Sequence, residues 1–502
     1  MIPGRLPGKG FMKTVKIISL LLALLITAAA AVSCRDNTRK DAPTGKSSGD
    51  TGSGDDGAGY LPDADYGGYR FRILSIANEN SGIYTGFDSE ADTTDLVLAA
   101  QYKRNRKIES RYNIVFSEDD VTGWEELSST FVNYVSSVSD EYELNMLIQR
   151  EAFAYGVDGY ITRTDKLRYC DTTQPWYVQD VNRALTVNGI QFFSYSSECL
   201  NMFAQTNCTV FNKRIAGDNG VEDPYELVKA GTWTLDKMLS SAKAVTRDLN
   251  ADGVFNDYDQ LGIVGESDMI YPSLWIGAGY LTVEKDGDDY PVYTAPSNEG
   301  FIDFLTLIGG YFNEDRVIYD TQYRPTEQYF GHGTFRDEAT AVFRSGSALY
   351  RVAIINELTV LGDMTDDFGI VPNPKLNEEQ DGYHSRVIDG WLYVVPNTNT
   401  RLDMTSVILE ALAIESRNYV FDAYYEQSLK NRYTNDPNAK EMLDLISSTR
   451  TIDLGDTVWQ ADIRNKIQDA VWKKDLAFNS ALSSIKSYVD LMIGIYLNEL
   501  AK

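Results

Sequence analysis

The stretch Tyr69-Arg70-Phe71-Arg72-Ile73-Leu74-Ser75-Ile76-Ala77 packs Phe71, Ile73, Leu74 and Ile76 into so short a run that it reads as a buried strand. Thr94 can cap a helix reaching about Tyr112, with Leu96, Ala99, Ala100 and Ile108 near one face. Ile114 to Phe116 forms a second short strand signal, a helix is expected from about Trp124 to Val138, and Glu143 to Gln149 reads as a third strand. Three strands alternating with two helices imply a largely parallel sheet, because each helix must carry the chain back by a right-handed crossover. That is one α/β lobe.

A second set begins near Phe192. Apolar strands are predicted around Phe203 to Phe211, followed by the turn-rich Gly217 to Pro224 and a helix capped by Thr234 in the run Thr232-Trp233-Thr234. Another helix is expected over about Ser297 to Phe312, and the signals around Thr340 to Leu361 and Phe368 to Val371 complete this lobe. Trp391 to Val395 is strand-like and Asp403 to Ser416 helical. The C-terminal segment is mostly helical, with Leu445, Ile463, Ile467, Val471, Leu482, Ile485, Val489 and Ile493 as core-facing positions.

The ends bound the setting. Lys13 and Lys16 precede an apolar run from Ile17 to Val32 that closes on small residues and Cys34. The run is shorter than the roughly 20 residues a spanning helix needs, so it reads as a cleaved export signal, with Met12 as a possible start. Ala31-Val32-Ser33-Cys34 resembles a lipobox, whose Cys becomes the acylated first residue of the mature chain; Ala31 departs from the usual Leu. The alternative is ordinary cleavage after the Ala28 to Ala31 run. From Arg35 to about Gly59 the chain is Gly, Ser, Thr, Asp and Lys with almost no apolar residue, which favours a flexible tether spanning roughly 25 to 30 Å. The expected localisation is therefore the cell surface, lipid-anchored to the outer face of the cytoplasmic membrane.

Beyond the tether the chain is longer than a typical single domain, so two lobes are expected. The net charge of -27, from 46 Lys plus Arg against 73 Asp plus Glu, argues against nucleic acid, whose binding needs clustered Lys and Arg. Cys170, Cys199 and Cys208 lack Cys-x-x-Cys spacing and form neither a zinc site nor a disulfide framework. Cys199 and Cys208 either pair across a short excursion or remain buried thiols.

The later motifs carry a resemblance. They are Arg104-Asn105-Arg106-Lys107-Ile108-Glu109, Phe211-Asn212-Lys213, Asp223-Pro224-Tyr225-Glu226-Leu227-Val228 running into Gly231-Thr232-Trp233-Thr234-Leu235, then Gly346-Ser347-Ala348-Leu349-Tyr350, Gly369-Ile370-Val371-Pro372-Asn373-Pro374, and Asp389-Gly390-Trp391 before Val394-Val395-Pro396. In this order and spacing the chain resembles the family 1 extracellular solute-binding proteins of ABC importers, relatives of maltose-binding protein. The resemblance implies a type II periplasmic-binding fold: two α/β lobes with mainly parallel sheets flanked by helices, joined by a hinge. It places a signal peptide at 1–33, the acylated Cys and linker at 34–66, lobe 1 at 67–195 with 385–435, and lobe 2 at 196–384 with 436–502. It implies a monomer that closes over a small molecule, a carbohydrate and more narrowly an oligosaccharide, and delivers it to an ABC permease.

For the ligand, aromatic side chains are the natural candidates, since a sugar ring packs an apolar C–H face on an indole or phenol. Tyr155 follows a predicted strand end, Trp275 lies in Pro272-Ser273-Leu274-Trp275, Tyr350 and Arg351 follow a Gly-Ser turn, and Asp389 and Trp391 sit at a hinge return. Family likeness places Tyr155, Trp275 and Tyr350 near sugar-stacking positions. Trp176, after Pro175, is a further candidate. The plain alternative for each aromatic is packing, and Arg351 with Asp389 can instead be an inter-lobe ion pair.

One motif stands apart. Asp248-Leu249-Asn250-Ala251-Asp252-Gly253-Val254-Phe255-Asn256-Asp257-Tyr258-Asp259 places oxygen donors at Asp248, Asn250, Asp252 and Asp259, with Gly253 for the turn and a carbonyl at Val254. A structural calcium ion is expected there by likeness to dockerin and EF-hand loops, with Asp259 in place of the usual Glu; the alternative is a solvated acidic turn. Only His332 and His384 are present, and no Gly-x-Ser-x-Gly or Walker loop occurs, so the chain is not expected to be an enzyme. A secreted glycoside hydrolase, needing two carboxylates, and a surface sensor or adhesin of the same fold are the competing readings.

Overall fold

The computed structural model describes residues 59–77, 86–87, 90, 92–313, 317–331, 333–429 and 436–500. The export signal, Cys34, most of the tether and His332 lie outside the described residues. Ten strands build two sheets: β1 (Tyr69–Ile76), β2 (Ile114–Val121), β3 (Leu144–Ile148), β4 (Ile161–Thr162), β5 (Asn207–Asn212), β6 (Leu261–Gly265), β7 (Ile318–Asp320), β8 (Ala348–Ile354), β9 (Phe368–Val371) and β10 (Trp391–Pro396). The first sheet has the order β2-β1-β3-β10-β4 and the second β9-β5-β8-β6-β7. Each is mixed. β1 runs parallel to β2 and β3, whereas β10 lies antiparallel to β3 and β4. Likewise β6 runs parallel to β7 and β8, and β5 is antiparallel to β8 and β9.

β10 is the topological key. It comes after the whole second sheet in sequence yet pairs with β3 through Trp391↔Ile148 and Leu392↔Leu147, so the chain crosses between lobes and returns. The crossing strands touch each other: Thr206 bridges Val387, and the Ile388 amide donates to the Gln205 carbonyl at 3.2 Å. A third crossing element, Arg450–Thr451, pairs with Ser385–Arg386.

Helix α1 (Leu96–Tyr112) shows how polar groups help join the pieces. Its cap is Asp95, which accepts from the amides of Val97 and Leu98, in place of the expected Thr94. Its buried face is Val97, Gln101, Arg104, Asn105, Ile108 and Tyr112, while Leu96 is exposed. Arg104 is buried because its guanidinium finds Asn105 Oδ1 at 3.0 Å and Ser416 Oγ at 3.1 Å. Asn105 in turn donates to the Gly86 carbonyl at 2.7 Å. A buried polar face is stable only when satisfied in this way.

α2 (Trp124–Ser136) follows β2, and α3 (Gln149–Val157) follows β3. The predicted strand signal at Phe203 is instead the short helix α4 (Leu200–Ala204), and the strand begins only at Asn207. Thr234 caps its helix as expected, its hydroxyl accepting from the Lys237 amide. The run holding Trp275 is the helix α5 (Ser267–Gly277), with Pro272 inside it. α6 (Leu402–Glu415) follows β10, and α7 (Pro437–Ser448), α8 (Gln460–Trp472) and α9 (Lys486–Leu500) close the chain. α9 touches both lobes: Tyr496 packs on Phe153 of α3 at 5.9 Å and edge-on to Trp459 at 6.2 Å. Cys170, Cys199 and Cys208 are free thiols, so Cys199 and Cys208 do not pair. Among the described residues no helix is long and apolar enough to cross a membrane.

Candidate functional site

In open α/β sheets the loops leaving the carboxyl ends of parallel strands form the ligand crevice. In the first sheet those ends lead to Trp124 after β2 and to Arg150 and Glu151 after β3, and the antiparallel β10 enters at the same edge through Asp389, Gly390 and Trp391. Asp389 Oδ1 accepts from the Arg150 amide at 3.0 Å, and its second oxygen pairs with the Arg150 guanidinium. The same guanidinium sits 5.7 Å from the centre of the Trp124 ring, and Trp124 is 47% exposed. An open indole beside a charged planar fork is a surface on which a sugar face and its hydroxyls can both be met. Glu151 adds a carboxylate oxygen, Oε2, that is sealed from solvent without a partner. Burial raises the Glu151 carboxyl above the usual carboxylate range, with Arg150 opposing.

In the second sheet the equivalent ends lead to Glu266, Ser267 and Asp268 after β6, Thr321 and Gln322 after β7, and Glu357 after β8. Asp320 accepts from the amides of Ser267 and Gln322 at 3.1 and 3.0 Å and from the Trp472 indole at 3.1 Å, which fixes the start of α5. The Asp268 amide donates to Gln322 Oε1 at 3.1 Å, while its own Oδ1 is buried without a partner.

Arg464 lies on α8. Its Nη1 lies 3.5 Å from Asp456 Oδ1, its Nε is buried without a partner, and its charge acts on the Asp389 carboxyl of the opposite lobe. Asp389 is nevertheless raised above its ordinary value because burial outweighs Arg150 and Arg464. Arg386, in the crossing strand, is paired with Asp456 at 2.6 Å and senses both Asp268 and Arg464. Two charged groupings result: Arg150 with Asp389 in the first lobe, and Asp456 held by both Arg386 and Arg464.

Of the residues singled out from sequence, the structure brings Asp389 and Trp391 to this edge. Trp391 is half-buried, and its amide donates to Asn201 Oδ1 at 3.1 Å. Trp275 is fully buried, its indole donating to Asp453 at 3.2 Å. Tyr350 is buried beside Trp233 and bonded to Ser241 at 2.9 Å. Arg351, 0% exposed, lies between Glu266 and Glu357 at 2.9 and 2.8 Å, with Arg336 on their outer side. The expected Arg351–Asp389 ion pair is thus corrected: each has its own partner within its lobe. Trp275, Tyr350 and Arg351 present no surface to a ligand in this arrangement and are accounted for by packing. Tyr155 lies along α3 in a ring cluster with Phe131 and Tyr160, its hydroxyl bonded to Ser128. Trp176 donates to Glu410 at 2.8 Å and stacks on Tyr60, away from the strand ends.

Sequence reasoning missed Trp124, Arg150, Glu151, Asp268 and Arg464. For Arg150 and Glu151 the signal was available, since they follow closely on the apolar strand β3.

In the Asp248–Asp259 loop, Asp248 accepts the amides of Ala251 and Gly253, Asp252 that of Val254, and Asp259 those of Leu249 and Asn256. Among the described residues no group of three or more His, Cys, Asp or Glu side chains is gathered as a metal cluster. The all-oxygen donor set suits a hard cation in kind.

No protein-family model and no curated protein sequence matches the chain. Solved structures do. An ABC substrate-binding protein of Listeria monocytogenes in complex with cycloalternan superposes with a TM-score of 0.55 at 11% identity, over 85% of this chain and 99% of that one. The glycerophosphocholine-bound UgpB of Mycobacterium tuberculosis gives 0.56 at 15%, over 85% and 99%. The maltotriose-bound maltodextrin-binding domain of Bdellovibrio bacteriovorus gives 0.53 at 15%, over 84% and 99%. The fold is that of the ABC-importer solute-binding proteins.

Proposed function

We propose that the chain captures an oligosaccharide between its two strand-end edges, without altering it, and delivers it to an ABC permease. The observation that carries this reading is the half-exposed Arg150–Asp389 pair at the strand-end edge of the first sheet, set beneath the open Trp124 ring. Planar charged groups suit sugar hydroxyls, an exposed indole suits the ring face, and contacts drawn from both lobes favour a closed state when a ligand bridges them. The sugars held by two of the structural neighbours support the carbohydrate class.

The export signal, the Cys34 lipobox and the polar tether support attachment to the outer face of the membrane, with the body acting as a monomer. The Asp248–Asp259 loop would hold calcium on Asp248, Asn250, Asp252, Asp259 and the Val254 carbonyl, as a structural brace remote from the strand ends. A melting-temperature screen against neutral oligosaccharides tests the main reading. A ligand at about 100 times its Kd adds roughly 2.7 kcal/mol, an easily measured rise, and a panel of maltodextrins, cycloalternan and related glycans that leaves the melting temperature unchanged would refute it.

A further inference from the structure

A second cavity lies on the other side of the crossing strands. It measures about 330 Å³, and its lining includes Trp176, Phe203, Arg417, Phe421 and Arg450, with the Asp180 carboxylate also on its wall. Its walls come from both lobes: Arg417 and Phe421 continue the helix that follows β10, while Ser447 ends α7, which packs on β9. In the pair Ser385–Arg386 with Arg450–Thr451, side chains alternate between faces, so Arg450 and Arg386 point to opposite sides. Arg386 goes to the strand-end junction and Arg450 to this cavity.

Arg450 is the unexplained group. Its guanidinium lies 4.2 Å from the centre of the Phe203 ring, and its Nε and Nη1 are sealed from solvent with no hydrogen-bond partner. Phe203 packs on Phe421 at 4.8 Å, and Arg417 covers the far ring at 4.8 Å. Two guanidinium groups thus bracket a pair of aromatic rings. The ionisable groups that act on Arg450 are the phenols of Tyr425 and Tyr424 and the carboxylate of Asp180, which pairs with Arg183. Burial without a paired carboxylate pulls Arg450 down to about 10. Guanidinium nitrogens sealed without a partner are costly, and a guanidinium's matched partner is a planar or tetrahedral oxyanion.

We infer that this cavity is a second ligand site, taking a small oxyanion, a carboxylate or a phosphate, on Arg450 with Arg417 in support and the ligand's apolar part on Phe203 and Phe421. The inference does not depend on the sugar reading, because no residue of the strand-end junction lines the cavity.

The test is calorimetric titration of the full chain with inorganic phosphate, with galacturonate, and with neutral galactose, each against sodium chloride at equal ionic strength. Saturable binding of phosphate alone assigns a phosphate ligand, and of galacturonate alone a carboxylate ligand; binding of both assigns a general oxyanion pocket. Arg450→Met should weaken it at least about tenfold, the loss expected of a charge-assisted bond. Arg417→Ala, at an exposed position, should weaken it less, and Trp124→Ala should leave it unchanged. If neither anion binds the unaltered chain beyond the chloride control, or if galactose binds equally at this site, the inference falls, whatever the fate of the Arg450 variant.

Discussion

Both sheets place arginine and carboxylate at their strand ends, and they use them differently. In the second sheet Arg351 is fully buried and ion-paired with both Glu266 and Glu357, although its Nε has no hydrogen-bond partner. In the first, Arg150 and Asp389 form a pair whose cation remains a third exposed, under an open tryptophan and next to the partnerless oxygen of Glu151. The same chemistry is scaffold where it is closed and site where it is left open. A sealed network fixes the position of the strand-end loops; a half-open one keeps donors and acceptors available to a guest.

The contrast predicts opposite phenotypes. The largest effect should come from the sealed side: Arg351→Met leaves Glu266 and Glu357 buried with only the part-exposed Arg336 to offset them and should cost about 3 kcal/mol in a denaturant melt. A loss below about 1 kcal/mol would show that the network carries little, since that is the range of an exposed pair. Trp275→Ala should be comparable, at about 3 to 5 kcal/mol, because it opens a cavity and removes a donor to Asp453. Sugar affinity measured on the folded fraction should be unaffected.

On the open side the order reverses. Trp124→Ala should change stability by no more than about 0.5 kcal/mol, as an exposed position does, yet weaken sugar binding about tenfold by removing the stacking surface. A destabilised Trp124 variant with intact affinity would place it with the scaffold.

A smaller effect is expected from pH. The native Asp389 holds its proton above the ordinary value of 3.8, so the native state binds more protons than the unfolded chain in the window just above that value. Its contribution to stability is therefore full below 3.8 and declines as pH rises through the window to the native value. Asp389→Asn should remove that decline, read as a flatter stability profile; parallel profiles would contradict the assignment. The smallest effect concerns calcium: if the Asp248–Asp259 loop holds the ion, calcium should raise the melting temperature over chelator, and Asp248→Asn should abolish the rise.

Much of the first sheet is legible from Phe71, Ile73, Leu74 and Ile76 and from the alternation that follows, because apolar spacing reports burial directly. The face of α1 is not, since Gln101, Arg104 and Asn105 are buried by hydrogen bonds to distant partners such as Ser416 and the Gly86 carbonyl. β6 and β7 are five and three residues long, too short for periodicity to declare. At the site, Asp389 and Trp391 were visible because they stand at the entry of a clear strand, and Arg150 and Glu151 would have been had the loop after β3 been weighed as a crevice. Arg464 carried no local sign: it lies on an ordinary helix, and only the tertiary fold sets it beside Asp456.

The most direct test uses one residue from each lobe. Trp124→Ala and Arg464→Ala should each weaken binding of the same oligosaccharide, with the sugar recovered unchanged after prolonged incubation. Full affinity in either variant, or a sugar returned cleaved, would contradict capture between the two edges.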